Sequence, residues 1–299
     1  MAAKQPVLII VCGPTASGKT DFAINLAQHF NTEILSADSR QVYKEMSIGT
    51  AKPNAEQLAK IPHHFINHCS IHDTYNAGIY EKEALQLLEN LFKKHEVVVA
   101  AGGTGLYIKA LCEGLDDLPK ANENLRRQLQ AELDEHGVDF LFKKLQTLDL
   151  EGSKIIDNKN PHRIIRAIEL IEETGKSITS LKTNPKNKRP FKIIKVMMDI
   201  DRNTLYERIN ARVDEMITEG LVDEVQKLIP YKKMKALQTV GYSELFEYFD
   251  GKCSLAEAIE KIKQHTRNYA KRQLTWFNKE ADLIPHHQFG SDAMHRVFE

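Results

Sequence analysis

The segment Gly13-Pro14-Thr15-Ala16-Ser17-Gly18-Lys19-Thr20 is where residue type and spacing speak most directly of chemistry. It fits G-x-x-x-x-G-K-[ST] and lies between an apolar run, Val7 to Cys12, and an amphipathic stretch, Asp21 to Phe30, so the loop passes from a strand into a helix. Glycines let the backbone curl until successive N–H groups and the helix N-terminus face an anion. Lys19 adds a positive charge, and Thr20 offers a hydroxyl to a magnesium ion. The expected ligand is a di- or triphosphate. The aspartate that would accompany such a loop in a nucleoside-triphosphatase is missing, because the run Val97 to Ala101 closes on Gly102-Gly103-Thr104-Gly105. An acid stands instead after the second apolar run, in Ser36-Ala37-Asp38-Ser39-Arg40-Gln41, at the carboxyl edge where ligands of parallel sheets bind. Asp38 suits a general base or an acceptor for an incoming nucleophile; capping the following turn is the alternative. Gln41 has the amide geometry to pair with an adenine edge.

The elements that must hold these residues follow from the apolar pattern. Val7 to Cys12, Ile34 to Ala37, Val97 to Ala101 and Lys192 to Ile200 read as strands of a parallel sheet with helical crossovers. Between Leu115 and Pro190 the spacing is helical, as in Leu125, Leu129, Leu133 and Ile164, Ile168, Ile171. The expected fold is α/β, a P-loop NTPase-like parallel sheet with helices on both faces, formed by 1–115 and 191–299, with a helical insertion domain at 116–190. Helices are expected over Asn203 to Leu228, Ser243 to Phe249 and Ser254 to Asn278, the last opened by a Ser254/Glu257 capping box.

The chain has 299 residues, 42% apolar and 27% charged, so a sizeable core is available and disorder is excluded as its general state. Its 41 basic and 41 acidic side chains cancel, and a polyanionic partner must therefore be met by a local basic face. Cys12, Cys69, Cys112 and Cys253 lie far apart, which indicates neither a disulfide framework nor a cysteine-rich zinc site. No apolar run approaches the roughly 20 residues of a membrane span. A cytoplasmic protein is expected, and nothing forces more than a monomer.

GPTASGKT, ADSRQVYKEMSIGTAKP, IPHHFI, AGGTGLYIKALCEGL, HRIIRAIEL, RVDEMITEGLVDEV, ALQTVGYSEL and TRNYAKRQLTWF, in this order from Gly13 to Phe277, resemble the signature blocks of the bacterial tRNA dimethylallyltransferases. The resemblance implies transfer of a dimethylallyl group from dimethylallyl diphosphate to N6 of the adenine just 3′ of a tRNA anticodon, with release of diphosphate. It implies that Gly13 to Thr20 grip the leaving diphosphate with Mg²⁺, that Asp38 takes a hydrogen bond or proton from N6, and that Ser39, Arg40 and Gln41 help to fix the base. Thr104 resembles the family threonine near the reacting groups. Arg126 and the block His162-Arg163-Ile164-Ile165-Arg166 resemble segments that face the tRNA. One departure is Asn67, where the family commonly carries an aspartate.

Arg212 is the choice for a further diphosphate clamp, since a planar donor fork suits phosphate oxygens. Arg208, one turn earlier, is its rival, and surface ion pairing with Glu207, Asp214 or Glu215 is open to both. Two tracts free of acids, Leu181 to Lys195 and Lys261 to Lys279, carry six Lys or Arg each and suit an RNA backbone. The aromatics of the second tract, Tyr269, Trp276 and Phe277, are read as serving both RNA stacking and a core face. His63 and His64 lack partners at metal spacing and read as structural. Hinges of the insertion are expected near Asp116–Pro119 and Asn184–Pro190. The rival reading of the whole chain is a small-molecule kinase that uses the glycine loop for ATP.

Overall fold

Val7–Cys12 (β1) is apolar at every position, as a strand covered on both faces must be. In this computed structural model, which describes residues 5–120, 122–183 and 186–290, it forms the centre of a six-stranded sheet. Along the chain follow Lys19–His29 (α1), Ile34–Ser36 (β2), Ala55–Lys60 (α2), His63–His64 (β3), Ala77–Leu91 (α3), Val97–Gly102 (β4) and Gly105–Glu113 (α4). The order β3-β2-β4-β1-β5-β6 is parallel throughout; β5 (Lys192–Met197) and β6 (Leu283–Pro285) come from beyond the insertion. Val7, Ile9 and Val11 pack with Ala23, Ile24, Leu26 and Ala27 of α1. Leu8 and Ile10 point to the opposite side of the sheet, where they too are fully buried. The strands expected from the apolar runs are present, with β5 ending earlier than Ile200, at Met197. β3 and β6, two and three residues long, carry no such run.

Two compact units emerge, one of residues 1–113 with 188–299 and the other of residues 114–187. The second is wholly helical among its described residues: Glu123–His136 (α5), Val138–Leu148 (α6), Leu150–Ser153 (α7), Pro161–Thr174 (α8) and Ile178–Leu181 (α9). Leu129, Leu141, Leu145, Ile164, Ile165, Ile168 and Ile171 form its core. Residues 184 and 185 of the second expected hinge lie outside the described residues.

In the first unit the chain continues through β5 into Arg202–Thr218 (α10), Leu221–Lys227 (α11), Tyr242–Phe249 (α12) and Leu255–Phe277 (α13). The single helix expected over Asn203 to Leu228 is broken at Gly220, whose φ of 101° belongs to the left-handed region that glycine enters at little cost. α13 begins with the expected capping box between Ser254 and Glu257. It lies against the turn after β4 so closely that a Cβ on Gly105 would stand 2.3 Å from Trp276 Nε1. Gly105→Ala should therefore lower unfolding stability by about 1–3 kcal/mol through overpacking, read as a lower urea midpoint.

Candidate active site

Three carboxyl ends of neighbouring strands meet at one rim. β1 runs into the glycine loop, β2 into Ala37-Asp38, and β4 into Gly102-Gly103-Thr104. The rim is tight: Ala37 N donates to Ala101 O at 2.8 Å and Thr104 N to Ala37 O at 3.3 Å. A Cβ on Gly102 would lie 2.2 Å from Ala37 O. No side chain fits there, which is the physical reason that the metal-binding aspartate of nucleoside-triphosphatases has no counterpart at the end of β4.

The loop itself is strained into a cup. Gly13 has φ 145°, Ala16 φ 62° and Gly18 φ 89°; Gly18 caps α1 without any side-chain bond, which leaves the helix N-terminus to an anion. Pro14 O accepts from Lys19 Nζ at 2.6 Å, and the buried Ser17 hydroxyl has no partner among the described residues. Burial pushes Lys19 down to about 8, with the nearby Asp38 charge opposing and Arg212 reinforcing the shift. Ala16 is buried with Leu205 and Ile209 of α10 and Ala270 of α13.

A cavity of about 600 Å³ opens from this cup, walled by Thr15, Lys19, Thr20, Asp38, Arg212 and Tyr269 among others. A second, of about 250 Å³, lies beside it; Lys19, Thr20 and Arg212 belong to both walls. The two arginines occupy different places. Arg212 stands in both cavity walls, and burial lowers its pKa. Arg208 lines neither cavity, although its guanidinium comes near Gly18.

Asp38 caps the following turn and also stands in the wall of the large cavity. Oδ1 accepts from Arg40 N at 2.8 Å and Gln41 N at 3.3 Å and so holds the turn, while Oδ2 takes no part in it and the residue lines the large cavity. Ser39 N and Ser39 Oγ meet Thr104 Oγ1 at 3.0 and 3.3 Å, and Thr104 also meets the Tyr269 hydroxyl. Burial moves Tyr269 up to about 12, so it stays a neutral phenol.

Gln41 departs from expectation. Its Nε2 donates to Thr50 O and Ala51 O at 3.3 and 3.0 Å, and its Oε1 accepts from Ser36 Oγ at 3.1 Å, so the amide is engaged in holding the loop and not turned to an adenine edge. That loop is held from its other end by Glu224, a residue sequence reasoning missed. Its carboxylate accepts from Ser47 N, Ile48 N and Gly49 N at 3.0, 2.9 and 3.1 Å and from the Tyr242 hydroxyl at 2.7 Å. Asn67 accepts from Lys52 Nζ at 2.6 Å; burial lowers Lys52 to about 8. His64 is bonded to Glu33 at 2.6 Å. His63 donates through Nδ1 to Ile61 O at 2.8 Å and lines the large cavity with Nε2 unpartnered among the described residues.

In the helical unit, Arg126 and Arg166 converge on Glu169 at 2.8 and 2.9 Å, and Asn122 N adds 2.6 Å. Glu169 is fully buried; that burial would raise its carboxyl, but the bonds from Arg166 and Arg126 hold it below the usual range. Ile164 and Ile165 are corrected from RNA-facing to core residues, since the face of α8 they occupy is packed inside the unit; His162 and Arg163 are exposed. The basic tracts divide as well. Arg189 is held by Glu81 at 2.8 Å and by the carbonyls of Ala110 and Leu111, Lys195 by Glu280 at 2.5 Å, Lys261 by Glu247 and Lys263 by Asp214, both at 2.8 Å. Lys271 and Arg272 are exposed, whereas Phe277 is buried and Trp276 packs on Gly105.

No group of three or more His, Cys, Asp or Glu suited to a metal occurs among the described residues. The donor set at the cup is oxygen, with Thr20 in both cavity walls and Asp38 in one, which fits a hard cation that takes most of its ligands from phosphate and water.

Fold and rim define an α/β protein with a parallel sheet and a glycine loop shaped for an anion beside a cavity that Asp38 helps to wall. The chain belongs to the IPP transferase family, whose model matches residues 41–280, a range that does not include the glycine loop. It is 53% identical over 276 residues to the tRNA dimethylallyltransferase of Christiangramia forsetii, covering 92% of this chain and 91% of that one. To the tRNA dimethylallyltransferase of Cytophaga hutchinsonii it is 50% identical at the same coverage. Among solved structures, the tRNA isopentenylpyrophosphate transferase of Bacillus halodurans aligns with a TM-score of 0.69 at 34% identity, over 99% of this chain and 95% of that one. A eukaryotic dimethylallyltransferase acting on tRNA aligns with a TM-score of 0.75 at 25% identity, over 98% and 77%.

The lowered Lys19 sets a pH limit on anion binding. The charged form binds, and the free protein loses that charge as pH rises through about 8. Affinity for inorganic diphosphate should be level below that point and weaken by up to about tenfold per pH unit above it, until the higher pKa of the bound state is passed. Calorimetric titrations at about pH 7 and about pH 9.5, with Lys19→Met as the reference that cancels the ligand's own titration, read the difference.

Proposed function

We propose that the protein transfers the dimethylallyl group of dimethylallyl diphosphate to N6 of an adenine in tRNA, the one 3′-adjacent to the anticodon. The observation that carries this reading is the shared cavity wall of Lys19, Thr20, Arg212 and Asp38, with cationic and hydroxyl groups on the anion side and a carboxylate facing the same space. The diphosphate sits in the cup of Gly13, Pro14, Thr15, Ala16, Ser17, Gly18, Lys19 and Thr20, where loop amides, the Ser17 hydroxyl and the Lys19 ammonium meet its oxygens. Arg212 adds a forked donor from α10.

An allylic C1–O bond breaks with both electrons leaving on the diphosphate, so the barrier is set by how well the growing negative charge is received. Preorganised donors in a site shielded from bulk water do this without reorganising. N6 forms the new bond to C1 and gives up one proton, which Asp38 accepts and passes to water. Thr104, held by Ser39 and Tyr269, positions the acceptor turn. Mg²⁺, held by Thr20 and the diphosphate, would neutralise further leaving-group charge.

The RNA contact falls to the exposed cations Lys271 and Arg272 on α13 and Arg163 on α8, with the exposed His162 beside the last, and with Ser39 and Arg40 nearest the base. The adenine must leave its stack to reach a walled cavity, at about a few kcal/mol. We place the activity in the cytoplasm and in a single chain. The four free cysteines are in keeping with that compartment. The kinase reading gains no specific support, because Gly102 leaves no room for the metal-binding aspartate it requires.

Incubation with labelled dimethylallyl diphosphate and unmodified tRNA, followed by nucleoside analysis, tests the proposal; an unmodified adenine would refute it. Asp38→Ala should lower turnover by about a hundredfold or more with diphosphate binding nearly intact. Lys19→Ala should impair use of the prenyl donor far more than tRNA affinity. Neutralising Lys271 and Arg272 together should reduce the salt slope of tRNA binding by about two, measured by filter binding over a range of salt.

A further inference from the structure

Gln273 is nearly inaccessible, at 6% exposed, yet both ends of its amide are bonded to loops remote in sequence. Oε1 accepts from Thr15 N at 2.8 Å across 258 residues, and Nε2 donates to Gly103 O at 2.9 Å across 170. The orientation of the amide is fixed by its partners, since an N–H can only donate and a carbonyl can only accept. One side chain therefore ties the anion loop to the turn that carries Thr104. The approach is close: a Cβ on Gly103 would lie 2.2 Å from Nε2. The surrounding face of α13 serves the same two loops, with Tyr269 on Thr104, Ala270 on Ala16 and Trp276 on Gly105.

We infer that Gln273 is a positioning residue for the transfer, a double hydrogen bond that sets the distance between the diphosphate cup and the turn of Thr104, which itself holds the acceptor side through Ser39. Resting on the reading above, the inference adds a group that donor and acceptor need not touch. The donor and acceptor strapped together by Gln273 belong to different strand ends, and neither loop carries another side chain shown bonding to both. A glutamine suits this task by its chemistry. Glutamate presents acceptors at both ends and repels Gly103 O; leucine leaves Thr15 N–H and Gly103 C=O unpaired in a buried place. A protonated glutamic acid, in contrast, can again accept at one end and donate at the other.

The test compares the unaltered protein with Gln273→Glu and Gln273→Leu for transfer from dimethylallyl diphosphate to tRNA, alongside thermal midpoints and tRNA affinity. Loosening the geometry by a fraction of an ångström to about 1 Å should lower kcat by about tenfold to a hundredfold in both variants at about pH 8, with tRNA affinity within about threefold of the unaltered protein. The ratio of Gln273→Glu to unaltered kcat should climb severalfold towards about pH 6, whereas that of Gln273→Leu should stay flat. The charged and titratable groups that wall the same cavity, among them Lys19, Asp38, His63, Arg212, His265, Tyr269 and Arg272, are common to all three proteins, and their effects cancel in these ratios to first order. A kcat within about twofold in both variants, or a Gln273→Glu ratio that does not rise with acid, overturns the inference even if Gln273→Leu fails to fold. Absence of transfer by the unaltered protein overturns the functional reading itself, and so the two failures are told apart.

Discussion

The close approach of β2 and β4 at their carboxyl ends is the constraint from which the site follows. Ala37 is bonded on one side to Ala101 and on the other to Thr104, and Gly102 leaves no volume between them. Because the sheet is parallel, every strand delivers its following loop to the same edge. β1 brings the anion cup there, β2 the carboxylate and β4 the threonine. Removing all side-chain volume at Gly102 draws the turns after β2 and β4 into hydrogen-bonding range, Thr104 N to Ala37 O and Ser39 N to Thr104 Oγ1. The same absence of volume takes away the metal-binding acid used by phosphoryl-transfer relatives of this loop, and the local steric solution thus separates alkyl transfer from nucleotide hydrolysis.

Electrostatics at this rim are organised around an anion that the cup is built to receive. Lys19 is kept in a poorly hydrated position where its charge is costly, Gly18 leaves amide donors uncapped, and Ser17 holds a hydroxyl with no partner among the described residues. Each is unfavourable in the empty protein and favourable once an anion arrives. On the proposed reading, the binding energy is thereby concentrated on the leaving group. In the helical unit the opposite holds, where Arg126 and Arg166 already have their counter-charge in Glu169.

β1 and β4 were legible because a strand covered on both faces needs an unbroken apolar run, whereas β2 and β5 were legible from shorter pieces, Ile34-Leu35 and Ile193-Ile194, that Ser36 and Lys195 interrupt. β3 was not, since His63-His64 is polar and gains its strand geometry from pairing with Ile34 and Leu35. β6 gains its own from β5. The anion cup was legible because its residues are contiguous and each type has a stated duty. Gln41, Glu224 and Gln273 were opaque for a common reason. Their partners lie far along the chain or are main-chain groups, and main-chain groups leave no mark in a sequence. Ile164 shows the converse, for helical spacing grouped it with Ile168 and Ile171, whereas the motif it shares with Ile165 suggested a surface, and both are core. Arg208 and Arg212 share one face of α10 a single turn apart, so what separates them is their position along the helix relative to the cavities, which a sequence does not carry.

The insertion divides the sheet in sequence: β1 and β4 are complete before it, while β5, the other neighbour of β1, lies beyond. Gln273, which steadies the loop at residues 13–20, comes later still. On a ribosome the first motif to emerge is consequently among the last to acquire its final geometry, and the helical unit can form while the sheet is waiting for its remaining strands. A nascent chain of this protein carries its phosphate loop for most of its synthesis without the partner that sets it, so a truncated product that ends before α13 keeps the motif and lacks the enzyme.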